Sequence, residues 1–316
     1  MTLVKCLSLT RCSNSDEYPT DLIGHALKFL WTSQNVFLSL IWLISVISFS
    51  DGCPAADIVE GKGSVRIEGE FVNGDYAKFE HIISTRETTN YPVRGVQFMS
   101  PGGDIITALS IGRLIRKKWI VTSILGFNFD TGVCVITDPN SGKMSRYGFP
   151  CTCDSACFLA WAGGIQRYSS GGNVGLHRPY FGKMSGSDLA RPEIGEAYQG
   201  ITDLVRKYLR EMNVPDRYFD LMMSKNSREI YRLSDSEARA IEFAPLAEEA
   251  ILTTCGAVAE HDPRYEALLR KEATNAFPGA MLDPLSPADQ KMMNYFKAVA
   301  ICERDVIHRA QDKIQH

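Results

Sequence analysis

The sequence predicts an α/β fold organised around a mostly parallel sheet. Two observations carry this expectation. Residues 95–124 run strand, glycine turn, helix, strand, the βαβ signature of a parallel sheet. Further short apolar strands, at 64–71 and 173–177, are separated from it by stretches of helical periodicity. With 316 residues, 45% hydrophobic and 22% charged, the chain has room for one domain of about 200 residues plus additional segments.

Taken in order, Ser64 to Phe71 reads as a strand, and the helical pattern after it runs through Ile83. Gly95 to Met99 is a short apolar strand ending in Ser100-Pro101-Gly102-Gly103-Asp104. In the helix that follows, Ile105, Ala108, Leu109, Gly112 and Ile115 recur at helical spacing. Arg113, Arg116, Lys117 and Lys118 take its other face and its C-terminal end, where the helix dipole favours cations. Trp119 to Ile124 is the next strand, and 127–150 reads as an inserted hairpin or loop turning at Asp138 to Gly142. Cys157 to Trp161 fits a buried helix, and Asn173 to His177 another strand. Ile201, Leu204, Val205, Tyr208, Leu209 and Met212 mark an amphipathic helix, Pro215 opens another, and Ser234-x-x-Glu237 is a capping box. From 256 to 316 the chain reads as a helical extension without chemistry, interrupted by Pro278, Pro284 and Pro287.

The N-terminal part has its own pattern. Val36 to Phe49 (VFLSLIWLISVISF) carries no charge. It is shorter than the roughly 20 residues that span a bilayer comfortably and suits a signal-peptide core. Lys28 precedes it, while Asp51, Asp57 and Glu60 follow, so everything after residue 50 is expected outside the cytoplasm. Residues 36–56 are thus read as a signal peptide, with Cys53-Pro54-Ala55 as a cleavage site, or as a membrane anchor. Residues 1–35 are long for the region before such a core, so either the segment is an uncleaved anchor or translation starts downstream of Met1.

The net charge of −3 and the absence of a basic tract argue against nucleic acid as a partner. Of nine cysteines, six lie beyond the export segment: Cys134, Cys151, Cys153, Cys157, Cys255 and Cys302. An even number after an export signal fits disulfides in an oxidising, periplasm-like compartment. Cys255 with Cys302 is one expected pair, since it ties the extension to the core. A disulfide holding the turn around Ser155 is favoured over a metal site on Cys151, Cys153, Cys157 and His177, so no metal and no cofactor is expected.

Three segments carry candidate chemistry. Gly102-Gly103 lies at a strand-to-helix turn, where backbone N–H groups suit a negative oxygen; an ordinary tight turn would look the same. Cys153-Asp154-Ser155-Ala156-Cys157 places a serine before an apolar helix, where its hydroxyl is either exposed as a nucleophile or serves as an N-cap. Gly175-Leu176-His177-Arg178-Pro179 ends a strand on a histidine. Between residues 57 and 255 the only histidines are His81 and His177, and His81 has no partner motif.

This order of motifs resembles the ClpP-like proteases of the crotonase superfamily, and most of all the exported ClpP-like proteins whose nucleophile turn reads C-x-S-A-C. The matching residues are Gly69-Glu70, Ser100 to Asp104, Cys153 to Cys157 and Gly175 to Pro179, within residues 62–255. The resemblance implies a ClpP/crotonase-type β-α spiral core. It also implies a serine peptidase or hydrolase in which Ser155 attacks an acyl carbon, His177 takes its proton, and the N–H groups of Gly103 and Ala156 hold the oxyanion. A peptide or protein substrate and a homo-oligomer follow from the same likeness. The family's third member, an Asp, falls near Ile230, where none stands; Glu229 is the candidate in its place. Other readings are a Ser–His dyad, His177 oriented by a backbone carbonyl, and a weak or inactive scaffold or binding protein. A further one is a different acyl transfer on the same fold, which export disfavours if the acyl carrier is coenzyme A.

Overall fold

A computed structural model of the chain describes residues 55–124, 127–128, 134–137, 144–147, 151–169, 173–179, 191–226, 229–275 and 284–315. The apolar run 36–49, residues 1–35, Cys53 and the turn at 138–142 lie outside the described residues. Among the described residues, no helix is long and apolar enough to cross a membrane.

The architecture is mixed α/β. Strands β1 (Asp57–Gly61) and β2 (Ser64–Glu68) form an antiparallel hairpin, closed by Gly63 at φ 77°. The sheet then continues in parallel through β3 (Gly95–Met99), β4 (Val121–Ile124) and β9 (Arg167–Tyr168), in the spatial order β1-β2-β3-β4-β9. Helix α1 (Asp75–Glu87) links β2 to β3, and α2 (Ile105–Lys117) links β3 to β4. The expected strand–glycine turn–helix–strand unit is present with its expected elements. Asp104 caps α2 by accepting from the Thr107 N–H at 2.7 Å. The apolar stripe of α2 buries Ala108, Leu109, Ile111, Gly112 and Ile115. Strand β1 is less legible, because its sequence DIVEG has only two central apolar residues, between Asp57 and Glu60.

A second, three-stranded sheet takes β8 (Cys153–Asp154), β10 (Val174–Leu176) and β11 (Tyr231–Arg232), in the order β11-β10-β8. Strands β8 and β10 are parallel, and β11 is antiparallel to β10. Ser100, the residue after β3, bridges Cys153 and so joins the two sheets. Between them the chain makes the expected insertion, an antiparallel sheet of β5 (Phe127–Asn128), β6 (Cys134–Thr137) and β7 (Met144–Tyr147).

Helix α3 (Ala156–Ala162) is buried along its whole length. It lies so close to α2 that a Cβ on Gly163 would sit 2.6 Å from the Gly112 Cα, which is why both positions carry no side chain. Helix α4 (Arg191–Glu211) covers this layer, and its buried Tyr208 hydroxyl donates to the Leu159 carbonyl at 2.6 Å. Helices α5 (Asp216–Ser224) and α6 (Asp235–Arg239) follow, the latter opened by the expected Ser234–Glu237 capping box.

Beyond them lie α7 (Pro245–Cys255), a single 3₁₀ turn (Ala259–His261), α8 (Pro263–Asn275) and α9 (Pro287–Gln315). The stretch read from sequence as an appendage packs back on the sheet. Val306 and Ile307 of α9 join Ile165, Phe243, Ala247 and Ile251 in one apolar cluster. The fully buried Gln311 donates to the carbonyls of Arg94 (3.0 Å) and Trp119 (2.7 Å), beside the starts of β3 and β4. Cys255 and Cys302 form the expected disulfide between α7 and α9.

Candidate active site

The candidate residues collect where the C-terminal ends of β3, β8 and β10 meet. Ser100 continues β3 and is laced to β8 from both sides. Its N–H donates to Thr152 O at 2.9 Å, and its carbonyl accepts from the Asp154 N–H at 3.0 Å. The partner of β8 on the other side is β10, with Cys153 opposite Val174 and Asp154 opposite Gly175. The Ser155 N–H, just past β8, still donates to the Gly175 carbonyl at 2.9 Å. Ser155 therefore leaves β8 beside β10, the strand that His177 directly follows.

At Ser155 the chain turns sharply from strand into helix. Its backbone sits at φ 58°, ψ −123°, a conformation that L residues other than glycine rarely adopt and that costs about 1–3 kcal/mol. An N-cap serine has extended backbone and gives its oxygen to the first turn. Ser155 has neither property, since its side chain makes no capping hydrogen bond. The geometry is that of a strand–turn–helix elbow, which lifts a nucleophile's hydroxyl out of the backbone. Two disulfides brace it. Cys153–Cys157 spans Ser155 directly, and Cys134–Cys151 ties the inserted sheet to the chain entering β8. Both were expected only as a class, because pairing is not encoded in spacing.

The glycine turn packs on this elbow. Gly102 has φ 111° and Gly103 φ 121°. The Phe71 N–H donates to the Gly102 carbonyl at 2.7 Å, and the Asp104 N–H to the Phe71 carbonyl at 2.8 Å. Neither bond of this pairing uses the N–H of Gly103. A Cβ on Gly102 would lie 2.7 Å from the Ser155 Cβ, 2.8 Å from the Asp154 carbonyl and 3.0 Å from the Ala156 nitrogen. Gly102→Ala is therefore expected to strain both turns at once and lower stability by about 1–3 kcal/mol, read as a lower midpoint in urea unfolding.

His177 is buried, and its Nδ1 lies 2.9 Å from the Arg178 carbonyl oxygen. A carbonyl can only accept, so Nδ1 carries the proton of this bond, which makes Nε2 the basic nitrogen of the neutral ring. Glu229, the candidate third member, is exposed; its N–H donates to the Asn226 side-chain oxygen at 3.0 Å. His81 is exposed on α1.

Two residues that the sequence did not single out are held in the same place. The buried Asp154 carboxylate forms a two-pronged ion pair with the Arg232 guanidinium. Burial raises the Asp154 carboxyl above its ordinary range, and Arg232, Thr152 and His177 work against that rise. Only the adjacency of Asp154 to Ser155 was visible in the sequence; its partner lies 78 residues away.

No known family's profile matches the chain. No curated protein matches it either. Among solved structures, it is similar to a mutant of the membrane-bound stomatin-specific protease 1510-N, with 17% identity over 61% of this chain and 84% of that one, at a TM-score of 0.37. It is also similar to ClpP1 from Listeria monocytogenes, with 15% identity over 57% of this chain and 88% of that one, again at a TM-score of 0.37. At these values neither likeness bears on the role of any residue.

Proposed function

We propose that the chain is a Ser–His serine hydrolase on a ClpP/crotonase-type core, exported from the cytoplasm and acting on peptides or small proteins. The observation that carries this reading is the Ser155 elbow: a strained, non-capping serine at a strand-to-helix turn, beside the strand that His177 directly follows. Three disulfides suit an oxidising compartment and support export.

The chemistry follows from the residues. Ser155 Oγ attacks the carbonyl carbon of the scissile bond while its proton passes to His177 Nε2. The negative oxygen that develops is received by the N–H groups of Gly103 and Ala156. His177 then returns the proton to the leaving amine, the C–N bond breaks, and an acyl-Ser155 ester remains. Water, deprotonated by His177 in turn, releases the acid and restores the serine. The Arg178 carbonyl, bonded to Nδ1, holds the tautomer that this cycle needs, so Glu229 is not required.

A serine-directed fluorophosphonate tests the reading. The wild-type chain is expected to be labelled and Ser155→Ala not. An unlabelled wild type, or equal labelling of the variant, removes Ser155 as nucleophile and leaves a binding or scaffolding role for the fold.

A further inference from the structure

Three neighbouring strands set three residues in one row. Asp154 on β8 is opposite Gly175 on β10, and Gly175 is opposite Arg232 on β11. The central position has no side chain, and this is what allows the outer two to meet. Arg232 Nη1 donates to Asp154 Oδ1, and Arg232 Nη2 donates to Oδ2 at 2.9 Å, so the guanidinium fork closes on the carboxylate over the glycine. A Cβ on Gly175 would collide with Asp154 Oδ1 and lie 3.0 Å from Arg232 Nη1. The row is placed at the reacting residues. Asp154 precedes Ser155 in the chain, and Gly175 lies two residues before His177. Asp154 is also within electrostatic reach of His177. None of the acyl-transfer steps above touches this pair.

We propose that Asp154 and Arg232 are positioning residues, whose clamp across Gly175 fixes the nucleophile strand against the base strand and sets how Ser155 Oγ meets His177. The inference rests on the hydrolase reading. A merely structural ion pair would lower stability without changing the reaction of the folded protein; a clamp changes the reaction rate itself.

The test follows fluorophosphonate acylation against probe concentration in the wild type, Asp154→Asn, Arg232→Gln and the double variant, with thermal melts to count folded protein. The maximal acylation rate per folded molecule is expected to fall tenfold or more in each single variant. The probe concentration at half-maximal rate stays unchanged, and the double variant is no slower than the slower single one. Should Asp154→Asn not fold, Arg232→Lys decides: it keeps the charge, loses the fork, and is expected to give an intermediate rate. A labelled wild type with single variants within twofold of it overturns the clamp and leaves the hydrolase reading intact. Losses that multiply in the double variant overturn it as well. An unlabelled wild type overturns the hydrolase reading and the clamp with it.

Discussion

His177→Ala is expected to slow acylation of Ser155 by about 10²–10⁴-fold, with the lower stretch of that range set by what the oxyanion donors achieve alone. The size of the effect follows from the absence of any second base in the described site. His81 is exposed on α1, and the Asp154 carboxylate is committed to Arg232. Glu229→Gln is the companion measurement. If the Arg178 carbonyl orients His177 through Nδ1, removing the Glu229 charge leaves the acylation rate within about twofold, since an exposed carboxylate is screened by water and salt. A large fall in Glu229→Gln with the fold intact would return Glu229 to the third position and displace the carbonyl. The two variants together therefore separate a dyad from a triad, by rates on the folded chain.

The second large effect is on stability and lies behind the site. Arg167 on β9 is buried, and no carboxylate is among the bonds made by its guanidinium. Instead it donates to the carbonyls of Gly164 (3.0 Å), Ile241 (2.5 Å) and Met212 (2.6 Å). Arg116 on α2 reaches the same Gly164 and Met212 carbonyls, at 2.9 and 3.3 Å. The two cations thus gather the backbone after α3, α4 and α6 at one point. Burial, and Arg116 beside it, push the Arg167 guanidinium well below the ordinary arginine range, while Tyr208 and Tyr218 work against that fall. Arg167→Met fits the space but strands the Ile241 carbonyl and leaves those of Gly164 and Met212 with Arg116 as their side-chain donor. It is expected to cost about 3–5 kcal/mol, seen as a lower midpoint in guanidinium or urea unfolding with little change of slope. A midpoint equal to that of the wild type would mean that water replaces Arg167 at the Ile241 carbonyl and that Arg116 suffices for the other two.

What the sequence made legible follows from the range of the interactions involved. The β3–α2–β4 unit was readable because its signals are local: a glycine turn, an aspartate cap and an apolar stripe at helical spacing, all within 30 residues. The capping box at Ser234 was readable for the same reason. Strand β8 was not. It is two residues long, and only its pairing with Ser100 on one side and β10 on the other makes it a strand. The site shows the same division. Ser155 and His177 stood out by motif order and by the scarcity of histidines, whereas the positive φ that argues against a cap at Ser155 is a property of the folded turn. The Asp154–Arg232 pair depends on a register across three strands that no window of sequence contains. The packing of α9 was missed because its polar surface hides one buried amide, Gln311, whose partners lie 192 and 217 residues upstream.

That last contact also bears on how the protein comes into being. Arg94 and Trp119 are synthesised long before Gln311, and at roughly 5–20 residues per second the interval is about 10–40 s. During it the apolar surface of Ile165, Phe243, Ala247 and Ile251 has no cover from α9. A chain broken off before residue 306 keeps that surface open for good. Such a fragment offers chaperones and quality-control proteases a persistent apolar handle that α9 otherwise covers. Cover by α9 therefore distinguishes a chain that has been made past residue 306 from one that has not.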